Sequence, residues 1–161
     1  MAIFFYKQDN INTDLMFAGK YTYESSDVDF IKEHLFEDLD PEFSSKAQPG
    51  DIILVGKNFG CGSSREQPSV GLKALGIKAI IAESFSRIFY RSATNQGLLL
   101  IECPEAIEHY TLEDIVEIDE KNGTITVGSK AFSFPPLPNQ MQKIISDGGL
   151  LANIKKKLVD G

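Results

Sequence analysis

Four short runs of consecutive apolar residues punctuate the first two thirds of the chain, and segments of helical periodicity lie between them. The runs are Ile3-Phe4-Phe5-Tyr6, Ile52-Ile53-Leu54-Val55, the segment 78–82 with Ile80-Ile81, and Leu98-Leu99-Leu100-Ile101. An unbroken apolar run has no polar face, so it suits a strand covered on both sides, as in a parallel sheet. The pattern predicts strands over 3–6, 51–55, 78–82 and 98–101. A helix is expected over 28–38, capped by Ser26 or Asp27, with Phe30, Ile31, His34 and Leu35 on one side. A second should run from Gln67 or Pro68 to Leu75 and stop at Gly76. A third opens at Ser84 or Ser86, carries Ile88, Phe89 and Ala93, and closes at Gly97. Two strand–helix–strand units in series imply parallel strands with helices packed on them. Residues 9–14 read as a polar turn, and 17–26 and 39–50 as loops.

The pattern changes after residue 103. A short helix over 104–110 is followed by half-polar strands over 114–119, 124–127 and 130–134, with Lys121-Asn122-Gly123 as a turn. Pro135-Pro136-Leu137-Pro138 breaks the chain, and helical stretches over 140–145 and 150–159 are parted by Gly148-Gly149. The expectation is one α/β domain over 1–161, with central parallel strands and a late antiparallel portion.

Composition narrows the function more than the fold. The 161 residues are 42% hydrophobic and 24% charged with a net charge of −7, which suits a globular chain and disfavours a nucleic-acid partner. Cys61 and Cys103 are too few for a disulfide framework, a four-cysteine zinc site or an iron–sulfur cluster. No secretory leader and no long apolar membrane span is read, so a cytoplasmic location is expected.

The chemistry concentrates in Gly56-Lys57-Asn58-Phe59-Gly60-Cys61-Gly62-Ser63-Ser64-Arg65-Glu66. The loop lacks the lysine of a P-loop and the third glycine of a dinucleotide fingerprint, and it has no nucleophile elbow. Two hydroxyls and a guanidinium remain beside Gly60, Cys61 and Gly62, ahead of a helix. Such a loop can cradle an anion on its backbone, and Arg65 offers a planar fork for a carboxylate or phosphate. A serine beside these groups could have its alkoxide stabilised and move a proton. The residues alone equally allow Ser63 and Ser64 to cap the helix and Arg65 to pair with Glu66 or a surface acid.

That loop, together with residues 76–91 (Gly-Ile-Lys-Ala-Ile-Ile-Ala-Glu-Ser-Phe-Ser-Arg-Ile-Phe-Tyr-Arg), Asn10-Ile11-Asn12-Thr13-Asp14 and Asp38-Leu39-Asp40-Pro41-Glu42-Phe43, resembles the small subunits of 3-isopropylmalate dehydratase. It is also similar to the swivel domain of the wider aconitase family, homoaconitase small subunits included. The resemblance covers most of residues 9–104. It implies a swivelling β/β/α domain that works with a large subunit carrying a [4Fe–4S] cluster, one iron of which binds the substrate hydroxyl. The reaction implied is dehydration and rehydration of a hydroxy-dicarboxylate, most directly isopropylmalate in leucine biosynthesis. Ser63 would be the base, and Ser64 and Arg65 would hold substrate carboxylate. Homoaconitate, citraconate, methylmalate or dimethylmalate remain as alternative substrate systems, and a non-catalytic anion-binding domain as another class.

Two departures matter. Gln67-Pro68 stands where the family usually has a histidine after Ser-Arg-Glu. The loop over 18–24 holds no arginine, which weighs against a tricarboxylate, and it has Thr22 where the family usually has leucine. Lys20 and Tyr23 are its candidate substrate contacts. Asn12, Thr13 and Asp14 are expected as a turn close to the glycine loop. Arg87 and Arg91, four apart on one helix, would face the site, the partner or solvent. His34 and His109 lack ligand spacing and read as ordinary surface or core residues.

Overall fold

The structure is a computed structural model and describes residues 1–63, 65–135 and 137–160, with the side chain of Asp160 left aside. The apolar runs form β1 (Ile3–Tyr6), β2 (Ile52–Val55), β3 (Ala79–Ala82) and β4 (Leu99–Glu102). They lie side by side in chain order as one parallel sheet, with Ile3 opposite Ile52, Ile53 opposite Ile80 and Ile81 opposite Ile101. Every residue of β2 and β3 is buried, which is why neither shows alternation.

Strand order and chain order coincide, and crossovers between parallel strands are right-handed. All three crossovers therefore cover the same face. Before β2 come α1 (Thr13–Met16), α2 (Val28–Glu33) and α3 (Phe43–Lys46). Helices α4 (Gln67–Ala74) and α5 (Arg87–Asn95) come after β2 and β3 respectively. Their apolar residues Met16, Ile31, Phe43, Leu72 and Phe89 pack with Ile53, Val55 and Ile80 in one core. The opposite face of the sheet, with Ile52, Leu54, Ile81 and Ile101, is covered by the part of the chain beyond β4. That cover is α6 (Pro104–His109) and an antiparallel sheet of β5 (Val116–Asp119), β6 (Thr124–Val127) and β7 (Lys130–Ser133). Val116, Ile125 and Val127 point inward and leave the other face of this sheet half-polar. Helices α7 (Asn139–Ser146) and α8 (Leu150–Asp160) close the chain against α5.

Two expectations change. The helix expected over 28–38 stops at Glu33, because His34 leaves helical geometry and Phe36 takes a φ of 58°. Tertiary bonding overrides propensity there: the Phe36 N–H donates to the Met16 carbonyl at 2.7 Å, and Leu35 bridges to Phe17. The loops expected over 9–14, 17–26 and 39–50 contain α1, a 3₁₀ turn at Gly19–Tyr21, and α3. Phe43 anchors α3 in the core beside the rings of Phe4 and Phe36, at 4.8 and 4.5 Å.

Candidate functional site

The loops leaving β1, β2 and β3 continue the sheet beyond its regular strands. The loop after β2 is stitched to the loop after β1 by Asn10 N–H to Lys57 O, Gly60 N–H to Ile11 O and Thr13 N–H to Cys61 O, each 2.8 Å. On its other side Phe59 N–H donates to Ser84 O at 3.1 Å, and Ser86 N–H donates to Phe59 O at 3.0 Å. The glycine loop thus sits as a middle strand between two neighbours. Gly60 is obligatory: its φ is +85°, and a Cβ there would lie 2.2 Å from the Phe89 ring. Gly62 has a φ of +102° and brings the backbone onto the Thr13 hydroxyl, which a Cβ would meet at 3.2 Å. The tight backbone approach that the sequence suggested is therefore made to protein groups, Phe89 and Thr13.

This clip delivers Ser63 to the surface. Its side chain is exposed, and its Oγ lies 3.0 Å from Thr13 Oγ1 and accepts from Arg65 Nε–H at 2.9 Å. The Ser63 backbone N–H also donates to Thr13 Oγ1, at 3.1 Å. Arg65 reaches further: Nη1–H donates to Thr22 Oγ1 at 2.8 Å, and Nη2–H pairs with the Asp14 carboxylate. Among the described residues these bonds engage three of the five guanidinium N–H donors, so two remain. The arrangement is a serine hydroxyl backed by a cation, with donor capacity left for a carboxylate.

The capping alternative does not hold for Ser63. Helix α4 begins at Gln67, and its N-cap is Glu66 with no side-chain cap bond. Ser63 stands ahead of the first turn, so the electrostatic partner of its oxygen is Arg65 rather than the helix terminus. Ser64 lies outside the described residues. Arg65 does pair with a surface acid as that alternative allowed: it is the exposed Asp14, fifty-one positions away, rather than its neighbour Glu66. Asn12 caps α1 through Leu15 N–H at 2.9 Å, which holds Thr13 and Asp14 in the first turn beside the loop. Their place near the glycine loop was expected; their contacts with Ser63 and Arg65 were not. Nor was Thr22 expected as a partner of Arg65. The only signal for any of these was the polar cluster at 12–14 and the polar loop at 18–24.

Lys20 and Tyr23 share that loop but make no bond to Ser63 or Arg65 among the described residues. The Lys20 ammonium lies over the Tyr21 ring at 5.1 Å, and Tyr23 is 98% exposed. Arg87 and Arg91 are exposed on α5 and border a different feature, a groove of about 870 Å³ also lined by Tyr90, Phe134 and Met141. His34 stacks on Tyr21 of the 18–24 loop at 4.1 Å, and His109 lies near Phe132, at 5.5 Å.

Cys61 sits in the loop, part-exposed, and Cys103 is buried in the core on the other face of the sheet, where burial pushes its thiol pKa up. Among the described residues no three His, Cys, Asp or Glu side chains converge as a metal site. Two thiols so placed do not fit a [4Fe–4S] cluster, so no chemical step is assigned to a cluster on this chain. No helix among the described residues is long and apolar enough to cross a membrane.

Residues 5–106, which hold nearly all of the parallel sheet and the whole stitched loop, match the model of the aconitase C-terminal domain. The chain is 46% identical over 152 residues to the 3-isopropylmalate dehydratase small subunit of Caldicellulosiruptor bescii, covering 93% of this chain and 91% of that protein. It is likewise 46% identical over 153 residues to the small subunit of Thermodesulfovibrio yellowstonii, covering 93% and 90%. The chain belongs to the 3-isopropylmalate dehydratase small-subunit family. A crystal structure of 3-isopropylmalate dehydratase from Methanocaldococcus jannaschii superimposes with a TM-score of 0.89 at 36% identity, over 98% of this chain and 93% of that one. The small-subunit family thus accounts for the full architecture, including the antiparallel sheet and closing helices beyond the aconitase-type match.

Proposed function

We propose that this chain is the base-bearing half of a hydro-lyase that interconverts 2-isopropylmalate and 3-isopropylmalate by dehydration and rehydration in leucine biosynthesis, as a single cytoplasmic domain bound to a large subunit. The observation that carries the reading is the exposed Ser63 hydroxyl accepting from Arg65 and touching Thr13. Its exposure also supports a second chain. An alkoxide facing open water gains little from a nearby cation, and a dry site makes the same contacts far stronger.

In the forward step the Ser63 alkoxide takes the proton from the carbon next to a carboxylate, and the C–H electron pair moves toward that carboxylate. The resulting dianionic aci-carboxylate is held by the two unused Arg65 N–H groups and by Ser64. The electron pair then forms the C=C bond as hydroxide leaves the adjacent carbon. Hydroxide then adds to the carbon that lost the proton, and the Ser63 hydroxyl returns its proton to the carbon that lost hydroxide, which regenerates the alkoxide and gives the other isomer. A [4Fe–4S] cluster, carried by the large subunit, would supply the Lewis acid for the departing hydroxyl. Lys20 and Tyr23 contact substrate once the large subunit covers the 18–24 loop. The absence of arginine in that loop favours an alkyl group over a third carboxylate.

The test is reconstitution. The chain alone should be inactive, and mixing it with a cluster-loaded large subunit should give turnover of isopropylmalate in preference to a panel of homoaconitate, citraconate, methylmalate and dimethylmalate. Ser63→Ala should lower kcat by at least about three orders of magnitude, since it removes the proton acceptor outright, while the two chains still co-elute. A variant that turns over at near the normal rate would remove Ser63 from the base role.

A further inference from the structure

We infer that Thr13 is a positioning residue for Ser63, holding its backbone and donating the hydrogen bond that stabilises its ionised oxygen; this rests on Ser63 being the base. The hydrogens can be counted. A hydroxyl has one proton and two lone pairs. Thr13 Oγ1 spends one lone pair on the Ser63 N–H at 3.1 Å. Ser63 Oγ spends one on Arg65 Nε–H at 2.9 Å. Between the two oxygens, 3.0 Å apart, there is room for one proton, and in the neutral state either oxygen can supply it.

Ionisation removes that ambiguity. A Ser63 alkoxide has no proton to give, so the bond survives only with Thr13 as donor. The anion then accepts from two directions, the guanidinium on one side and Thr13 O–H on the other. Nothing else in the described residues competes for the Thr13 proton: the residue sits at the first position of α1, where no carbonyl one turn earlier lies within the helix. Thr13 is also 2% exposed, so water does not substitute for it on its own side of the pair. A charge-assisted hydrogen bond is stronger than a neutral one, the more so once a second chain excludes water from Ser63, and it favours the charged form of its acceptor.

The geometry around Thr13 is built to keep this contact. Thr13 N–H is held by Cys61 O at 2.8 Å, two residues before Ser63. Gly62 brings the intervening backbone close enough that an added Cβ would lie 3.2 Å from Thr13 Oγ1. Asn12 fixes the α1 turn from which Thr13 projects. One residue thus ties Ser63 at both its N–H and its Oγ, and the second of these ties gains strength when Ser63 carries charge.

The experiment compares Thr13→Val, Thr13→Ser and Ser63→Ala in the complex with the large subunit, and follows Ser63 amide exchange by NMR in the 161-residue chain alone. Valine keeps the shape and β-branching and loses the hydroxyl; serine keeps the hydroxyl. The expected result for Thr13→Val is a kcat about 10- to 100-fold lower with KM nearly unchanged, and a rising limb of the pH–rate profile moved to higher pH. Thr13→Ser should restore most of the rate and the original limb. The Ser63 amide should exchange faster in Thr13→Val and not in Thr13→Ser. An unchanged pH profile in Thr13→Val, or a Thr13→Ser variant as slow as the valine, would overturn the inference. Normal turnover by Ser63→Ala would instead bring down the base assignment, and the inference with it; a dead Ser63→Ala beside a normal Thr13→Val refutes the Thr13 role alone.

Discussion

Replacing Gly60 by alanine tests whether the glycine loop is a rigid clip. Two penalties combine at this position. The φ of +85° lies in the left-handed region, where a Cβ costs roughly 1–2 kcal/mol. The Cβ would also lie 2.2 Å from one Phe89 ring atom and 2.7 Å from the next, and Phe89 is itself buried against Phe59 at 5.2 Å. Relief by backbone movement is blocked, because the Gly60 N–H donates to Ile11 O at 2.8 Å and its carbonyl accepts from Ser86 Oγ at 3.0 Å. Overpacking of this kind costs about 1–3 kcal/mol, so the total is about 2–5 kcal/mol. Gly50→Ala is the matched control: its φ is +91° with nothing within 4 Å of the added Cβ, so only the conformational penalty applies. Urea unfolding followed by circular dichroism should show the midpoint of Gly60→Ala below that of Gly50→Ala by roughly 0.5–1.5 M at equal slope, taking a slope of about 2 kcal/mol/M. Equal midpoints for the two variants would refute the claim that Phe89 closes the space beneath the loop.

Two further expectations concern the scaffold. Asp51 is 1% exposed and accepts from the N–H groups of Ala2 and Gln48, both at 2.8 Å, which fixes the start of β1 against β2; Asp51→Ala should cost about 2–4 kcal/mol in urea unfolding, and a loss within about 0.5 kcal/mol would show that these bonds are replaceable by water. Tyr6 donates to Asp40 at 2.6 Å, and burial first, then Asp40, raises its pKa well above the usual tyrosine value. The folded state therefore favours neutral Tyr6. The stability it contributes is fully present below about pH 10, the unfolded value, and declines by up to about 1.4 kcal/mol per pH unit above it. The stability gap between the native chain and Tyr6→Phe should accordingly shrink between about pH 9 and pH 11, and a gap constant across that range would contradict the assignment.

The parallel sheet was legible because burial on both faces leaves an unmistakable apolar run, as in Ile52-Ile53-Leu54-Val55. The ends of α4 and α5 were legible too: Gly76 and Gly97, at φ of +82° and +92°, terminate them as expected. Helix α2 was overrun because nothing in residues 34–38 announces that Phe36 will donate to Met16, twenty positions back. The same limit applies to the site. Ser63 and Arg65 stand out in the glycine loop, and their local grammar fits an anion site. Thr13, Asp14 and Thr22 do not, because their bonds to that loop span 50, 51 and 43 positions and come only from the pairing of β1 with β2. Periodicity reports which face of an element is buried; it carries no information about which polar side chains two loop ends will share.

That pairing also bears on how the chain would serve as one half of an enzyme under the proposed function. A flexible loop that became ordered only on association would lose roughly 0.5–1.5 kcal/mol for each side chain immobilised, taken from the association energy. Here the loop after β2 is already bonded to both neighbours through its backbone, and Arg65 is already held by Ser63, Thr22 and Asp14. Little ordering is left for docking to perform. Under the proposed function, the association energy then goes into excluding water from Ser63 and Arg65, and every contact within the cluster strengthens as water leaves. Asp14 has a definite part in this. It holds one arm of the Arg65 guanidinium, while the exposed position of its carboxylate weakens the pair in water. An incoming substrate carboxylate can share the guanidinium with Asp14 without having to displace it, since two N–H donors are left over among the described residues. The cluster is therefore preorganised before substrate or partner arrives.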